Sequence, residues 1–177
     1  GDCHLDFEDV KDHCRGSIFA LIPPSSIRQA EINHLGQMAK ALPKPVYLVA
    51  SAPYRGEDRA HIARLNNLAT QLGVRLLASN NVLYHEAERR DLQDVLTCIR
   101  EKTTIDKAGF LLKANAERHL KSRDDMAVIF KNFEHALEAT QEIVARCQLD
   151  LSDLKYEYPD ETVPDGKTPQ DYLIEQT

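Results

Sequence analysis

The sequence predicts an α/β fold in which parallel strands alternate with crossover helices and a mostly helical segment follows. Residues 16–79 hold three short apolar runs, separated by two stretches with apolar residues at helical spacing. From residue 91 the helical spacing continues without a further strand. Alternating strands and helices with short links indicate parallel strands and right-handed crossovers. Three such strands leave open edges, so we expect part of a larger barrel or sheet, or a unit that self-associates.

The first strand is predicted at residues 16–22, an apolar run that Pro23-Pro24 ends. Ser25 or Ser26 can cap the helix that follows. That helix has one apolar face, formed by Ile27, Leu35, Met38 and Leu42. Pro43 and Pro45 stop it, and residues 45–51 form the second buried strand.

The second helix leads to the third strand. Its apolar face consists of Ile62, Leu65, Leu68, Ala69 and Leu72. Gly73 stands at the position after the last helical turn where glycine commonly ends a helix. The run 74–79 is then predicted as a buried strand.

Five more helices are predicted: one from Asp91, then 103–110, 122–131, 134–147 and a short one from about Thr168. Ser122 and Asp125 have capping-box spacing, and Thr104 can cap the weaker helix. Residues expected to face inward on the first and fourth of these helices are Leu92, Val95, Leu96, Cys98 and Ile99, and Leu137, Thr140, Val144 and Cys147.

Composition is that of an ordinary globular protein, with 42% hydrophobic and 28% charged residues. No apolar run reaches the ~18 residues that a membrane helix needs, and no secretory signal opens the chain. Four widely spaced cysteines match no common zinc motif and predict free thiols. A cytoplasmic protein without membrane contact is expected.

Charge is distributed unevenly along the chain. Residues 148–177 contain eight acidic residues and two lysines, which gives −6, the net charge of the whole chain. The remaining residues are neutral overall, so a whole-domain basic surface for nucleic acid is absent. Only residues 97–123 are locally basic. A solvated helical face is the favoured interpretation of this stretch, and nucleic-acid contact is the alternative.

Ligands of parallel α/β folds gather where strands end. Neither of the first two strands is followed by carboxylates or imidazoles, and the third is followed only by His85 and Glu86 in a turn. Nucleotide-binding glycine loops, nucleophile elbows and zinc-protease motifs are missing as well. The polar run 115–120 between helices is either a capped loop or a contact for nucleic acid or a neighbouring domain.

Several longer motifs occur in a fixed order: NNVLYHEAERRDLQDVLTCIREKTTIDKAG (80–109), NAERHLKS (115–122), ALEATQEIVARC (136–147) and YEYPDE followed by TVPDGKTPQDYL (156–173). With this order the chain resembles the bacterial C-family DNA polymerases, and above all their error-prone, damage-tolerant branch related to the DNA polymerase III α subunit. The resemblance covers residues 16–177 and is strongest over 84–177.

The resemblance implies a fragment with three parts. Residues 1–90 would be the later part of the PHP (polymerase and histidinol phosphatase) domain, a distorted α/β barrel. Residues 91–150 would be a helical connector, and 151–177 an acidic, extended segment that leads into the palm. The catalytic aspartates that hold Mg²⁺ in the parent polymerase, and the early metal ligands of the PHP domain, would lie outside this chain. DNA and dNTPs would be bound by the parent protein, with other repair or replication proteins as further partners.

The same resemblance identifies lost metal ligands. In metal-binding PHP domains an Asp-x-His pair follows a strand, and here Asn81 and Leu83 stand at those two positions. No catalytic or metal-binding residue is therefore expected in this chain, and Leu83 would fill the former site if it faces inward. Candidate nucleic-acid contacts are Arg118, His119 and Lys121. The alternatives are a PHP-type metal-dependent phosphoesterase and a non-catalytic binding or scaffold module.

Overall fold

Three parallel strands form an open sheet in the order β1-β2-β3, in which β1 is Phe19–Leu21, β2 is Val46–Ala50 and β3 is Arg75–Ala78. The computed structural model describes residues 3–24, 26–148, 150–155, 163–164 and 166–176. Leu48 of β2 pairs with Leu21 on one side and with Leu76 on the other. The predicted parallel α/β arrangement, compatible with a partial barrel followed by helices, is confirmed, with strands shorter than the apolar runs.

Eight helices are present in the described part of the chain. They are α1 (Phe7–Asp12), α2 (Gln29–Ala41), α3 (Asp58–Leu72), α4 (Arg90–Arg100), α5 (Ile105–Ala108), α6 (Arg123–Ile129), α7 (Glu134–Arg146) and α8 (Pro169–Gln176). Single 3-10 turns occur at Ala87–Arg89, Gly109–Leu111 and Leu151–Asp153. None of these helices is long and apolar enough to span a membrane.

The core lies around β2. Val46, Leu48 and Ala50 alternate along this strand and are buried, as strand geometry requires of residues that share one face. Helix α3 packs against β2 and β3, and its buried residues include Ile62 and Leu65. Helix α7 packs against β3 and places Ala136 and Ala139 inside. The predicted apolar face of α3 is thus confirmed. That of α2 is confirmed as well, because Leu35 and Leu42 belong to the core and Ile27 and Met38 pack against it.

Local sequence explains most helix ends. Gly73 adopts φ 65° at the end of α3, a left-handed conformation that glycine takes without strain. Ser122 accepts the backbone N–H of Asp125 at 3.1 Å, which confirms the predicted capping box of α6. The predicted cap of α2 is wrong. Arg28 is the N-cap instead, and its N–H is accepted by Glu31 at 3.0 Å; Ser25 lies outside the described residues.

Helix α1 is not predicted by the apolar spacing. Its cap is Asp6, whose carboxylate accepts two backbone N–H groups, while Asp9 accepts the N–H of Asp6. Phe7 and Val10 pack against the core. The Asp-x-x-Asp spacing was a local signal for this helix start, because acidic side chains satisfy the free N–H groups of a first turn.

The inward face predicted for α4 is wrong. Four of its apolar residues are exposed: Leu92 by 54%, Val95 by 44%, Leu96 by 52% and Ile99 by 67%. The helix instead buries Thr97 and Cys98. Burial of Cys98 was predicted correctly. The apolar spacing of α4 is therefore real, but no described element of this chain packs on it.

The prediction for α7 is right in its first half only. Leu137 packs against the core, and Thr140 is partly buried, whereas Val144 and Cys147 are exposed. The face that meets β3 is set by the two small residues Ala136 and Ala139, which allow close approach. Cys147 follows the last helical residue, so helical spacing no longer positions it. All four cysteines are free thiols, as predicted.

Residues Cys147–Thr177 form a second compact unit, separate from Gly1–Arg146. In this unit the Thr168 hydroxyl accepts the N–H of Asp171 at 3.2 Å at the start of α8, close to the predicted helix start. Of the acidic, extended segment predicted at 151–177, residues 156–162 lie outside the described residues. Domain boundaries at residues 90 and 150 stay predictions.

Candidate functional site

The segment after β3 turns sharply at Asn81. This residue has φ 47°, a left-handed conformation that asparagine tolerates better than most residues. The Ser79 hydroxyl accepts the N–H of Asn81 at 3.0 Å and holds the turn. The chain then runs on to Tyr84, which is buried.

A second segment, residues 115–121, lies alongside this turn. Tyr84 and His119 form a parallel β-bridge. Leu83 donates its N–H to the Arg118 carbonyl at 2.8 Å, and Leu120 donates to the Tyr84 carbonyl at 3.0 Å. The strand-end region of β3 therefore continues into a short backbone pairing with a segment more than 30 residues further along the chain.

Two asparagine side chains strengthen this pairing. Asn80 is buried, and its amide nitrogen donates to the carbonyls of Glu117 at 3.0 Å and His119 at 2.5 Å. Asn115 donates to the Pro53 carbonyl at 3.0 Å, just beyond β2. The Asn80 amide satisfies carbonyls in a partly buried contact, where a missing hydrogen bond would cost stability, whereas the bond from Asn115 to Pro53 lies at the surface. Residues 115–121 are thereby joined to the carboxyl ends of β2 and β3.

Lys121 is the centre of the polar contacts. Only 5% of its side chain is exposed, and its ammonium lies 2.7 Å from the Glu117 carboxylate. The ammonium is also 3.3 Å from Nε2 of His119 and 5.0 Å from the centre of the Tyr54 ring. A buried ammonium requires such a partner, because an unpaired charge in the interior is strongly unfavourable. We call Asn80, Asn115, Glu117, His119 and Lys121 the strand-end network.

Arg118 contacts the same turn from outside the network. Its Nε donates to the Asn81 carbonyl at 2.7 Å. Partial burial lowers the pKa of Arg118 from its ordinary value, and the nearby Tyr84 acts in the opposite direction. The group stays charged, since arginine is not deprotonated in proteins. Its four remaining N–H donors make no hydrogen bond to any of the described residues.

The three candidate nucleic-acid contacts are thus brought together, but they face different surroundings. Lys121 and His119 contact each other and the chain's own residues. Arg118 retains donors that could reach a phosphate. Nucleic-acid contact by these residues stays a prediction.

Asn81 and Leu83, the two positions at which lost metal ligands were predicted, are both exposed. Leu83 has 37% of its surface exposed, so in this chain it does not fill a buried apolar cavity. His85 is exposed and lies 3.4 Å from Glu86, its sequence neighbour. No group of three or more His, Cys, Asp or Glu side chains that could hold a metal ion occurs among the described residues. At this strand end the described side chains do not fit a metal centre.

Sequence reasoning missed Asn80, Asn115, Glu117 and Tyr54 as members or neighbours of one cluster. The density of hydrogen-bonding groups in residues 115–120 was the available signal. It could not identify the partners, because Asn80 and Glu117 are 37 residues apart.

Sequence comparison shows which known proteins are related to this chain. An error-prone DNA polymerase of Caulobacter vibrioides is 44% identical over 177 residues, which is 100% of this chain and 16% of that protein. One from Bradyrhizobium sp. is 45% identical over 178 residues, 100% of the chain and 15% of the relative. One from Brucella abortus is 42% identical over 175 residues, 99% of the chain and 16% of the relative. This chain is homologous to a segment of bacterial error-prone DNA polymerases.

The resemblance to error-prone DNA polymerases seen in the motifs is confirmed by this identity along the whole chain. No protein-family model matches it. The chain spans about 16% of the length of the error-prone polymerases that it matches.

Proposed function

We propose that this chain is a structural segment of an error-prone DNA polymerase and that it carries no catalytic centre of its own. The observation that supports this most is the identity of 42–45% over essentially the whole chain to proteins of that name. In this proposal residues 1–90 are the later part of a PHP domain and 91–150 connect it to the polymerase core. DNA, dNTPs and Mg²⁺ are bound by parts of a cytoplasmic polymerase outside this chain.

The strand-end network supports a structural role for the PHP portion. Metal-dependent hydrolysis needs several carboxylates or imidazoles that converge on an ion. At the carboxyl ends of β2 and β3 the strand-end network offers amides, the Glu117 carboxylate, the His119 imidazole and the buried Lys121 ammonium, and no three metal-ligating side chains converge among the described residues. The cation at this place is Lys121, and it links the 115–121 segment to Tyr54. A metal-dependent phosphoesterase, the alternative function, has no comparable support.

Primer extension by the full-length polymerase that contains this segment tests the main proposal. We expect template-directed synthesis that depends on a divalent metal and continues past a damaged base. A reaction without dNTPs is the control. A full-length protein that binds primed DNA and never extends it would contradict the proposal.

A metal titration tests the structural role of the PHP portion. The chain is titrated with Mn²⁺ or Zn²⁺ and followed by calorimetry, and we expect no binding tighter than about 10 µM. The double variant Asn81→Ala/Leu83→Ala is the matched control and should behave like the parent chain. Tight binding that this variant abolishes would show that the turn at Asn81 still takes part in a metal site.

A binding role can coexist with this function, and Arg118 is the residue that favours it. Because it keeps unused donors, we expect Arg118→Ala to weaken salt-dependent binding of primed DNA. Lys107→Ala removes one charge from an exposed position and serves as the control. Equal binding by the parent and Arg118→Ala chains at low salt would remove Arg118 from the DNA contacts.

A further inference from the structure

Helix α4 carries an apolar face that no described residue covers. Leu92, Val95, Leu96 and Ile99 are spaced i, i+3, i+4 and i+7, so they lie on one side of the helix, and each is 44–67% exposed. We call these four residues the α4 face. Beyond it, Phe110 is fully exposed in the turn that follows α5, which itself packs against α4. Apolar residues scattered singly on a surface are common, but four at this spacing indicate a docking surface.

The chemistry of α4 favours a protein occupant. The helix contains Arg90 and Arg100 against Asp91 and Asp94, so its charges cancel. A surface for DNA or for anionic lipid would carry an excess of Lys and Arg beside the apolar residues. The α4 face lacks that excess, and an apolar protein surface is its natural complement.

Its size argues against a second copy of the chain as the occupant. Eleven residues make a helix about 16 Å long, and the apolar stripe is about 10 Å wide, so each partner would bury a few hundred Å². A specific interface between separate proteins buries about 800 Å² on each side. A surface of this size suffices when both partners belong to one chain, because the linker gives an effective concentration in the millimolar range.

We propose that the α4 face is the surface on which another segment of the same polymerase chain docks through apolar side chains. This inference rests on the proposed function, because the polymerases that the chain matches are about six times as long. In the full-length protein the exposed leucines and isoleucine of α4 become part of an interface between this segment and the polymerase core. Helix α4 then fixes the position of the core relative to the parallel sheet.

Hydrogen exchange of the α4 amides tests this docking. The full-length polymerase is compared with the 177-residue chain, and the same peptides are followed in both. We expect exchange of residues 90–100 to be at least about tenfold slower in the full-length protein, because a docked helix opens less often. The double variant Leu92→Ser/Leu96→Ser should remove that protection in the full-length protein. Val144→Ser changes an equally exposed apolar residue on α7 and should leave it intact.

Two outcomes would overturn the inference. Equal exchange of α4 in the two proteins would show that the rest of the polymerase does not cover it. Dimerisation of the 177-residue chain, measured by sedimentation and abolished by Leu96→Glu, would make a second copy the occupant. Primer extension is measured on the same preparation. Protection of α4 without DNA synthesis would contradict the proposed function while the docking stands.

Discussion

Replacement of Lys121 by methionine tests whether the strand-end network stabilises the fold. Methionine keeps the apolar stem of the buried side chain and removes only the ammonium. The lost hydrogen bond to Glu117 involves two charges, and such bonds contribute about 1.5–3 kcal/mol when buried. Because the Glu117 side chain is 36% exposed, water replaces part of this contribution, and about 1 kcal/mol remains. The loss of the contact with the Tyr54 ring adds about 0.5–1 kcal/mol.

We therefore expect Lys121→Met to lower the free energy of unfolding by about 2 kcal/mol and the Tm by about 4–8 °C. Glu117→Gln should cost more, about 3 kcal/mol, because it leaves a buried ammonium without a carboxylate. The double variant should resemble Lys121→Met alone, since the charge that Glu117 neutralises is then absent. This order of the three variants follows from the difference in burial between the two side chains.

Urea unfolding followed by circular dichroism measures the three free energies and the coupling between the two positions. Lys107→Met, in the exposed helix α5, is the control and should change stability by less than about 0.5 kcal/mol. If Lys121→Met is no more destabilising than Lys107→Met, the network does not hold the 115–121 segment. Strictly additive effects of Glu117→Gln and Lys121→Met would show that the ion pair contributes nothing.

Three smaller predictions concern single groups. Ser122→Ala removes the N-cap of α6 and should lower the free energy of unfolding by about 1 kcal/mol in urea, whereas Ser122→Asp should not. The Tyr47 hydroxyl is buried and has no hydrogen-bond partner among the described residues, so Tyr47→Phe should leave the Tm unchanged or raise it. A loss of more than about 1 kcal/mol in the free energy of unfolding would contradict this. Desolvation, then the charge of Arg64, lowers the pKa of His61 below its usual 6.5. As the pH falls, His61 is protonated in the unfolded chain before it is protonated in the folded chain. The free energy of unfolding is therefore highest above pH 6.5 and decreases as the pH falls from about 6.5 to the lower pKa of the folded chain. His61→Gln should reduce this decline, seen as Tm against pH, by about a degree; an unchanged pH profile would contradict it.

The parallel sheet and its two crossover helices were predictable because their burial pattern is local. In α3, Ile62, Leu65 and Leu68 recur at helical spacing, and the structure buries all three. Residues 45–51 are almost uniformly apolar, and β2 is buried on both sides. In these elements the sequence pattern and the packing partner lie within the same chain. The periodicity of the apolar residues was therefore enough to predict which of them are buried.

The orientation of α4 could not be predicted in the same way. An amphipathic pattern indicates that a face needs a partner, but it does not say whether that partner lies in the same stretch of chain. Helix α4 is strongly amphipathic, yet no described residue packs on the α4 face. The residues that it buries, Thr97 and Cys98, lie on another side of the helix. The same limit applies to Lys121, since it contacts the ring of Tyr54, which is 67 residues earlier.

The exposed α4 face and the buried Lys121 have a common structural basis. Helices α4 and α5 belong to the segment between Tyr84 and Asn115. Both ends of this segment are held near the carboxyl ends of the strands. The first end is fixed by pairing with residues 118–120, and the second by the hydrogen bond to Pro53. A segment that is fixed at both ends holds its helices in a defined orientation, even though no described residue packs on the α4 face. The buried ammonium of Lys121 adds contacts with Glu117, His119 and the Tyr54 ring at this anchor point. It holds the 115–121 segment against the sheet and so fixes the direction in which the α4 face points.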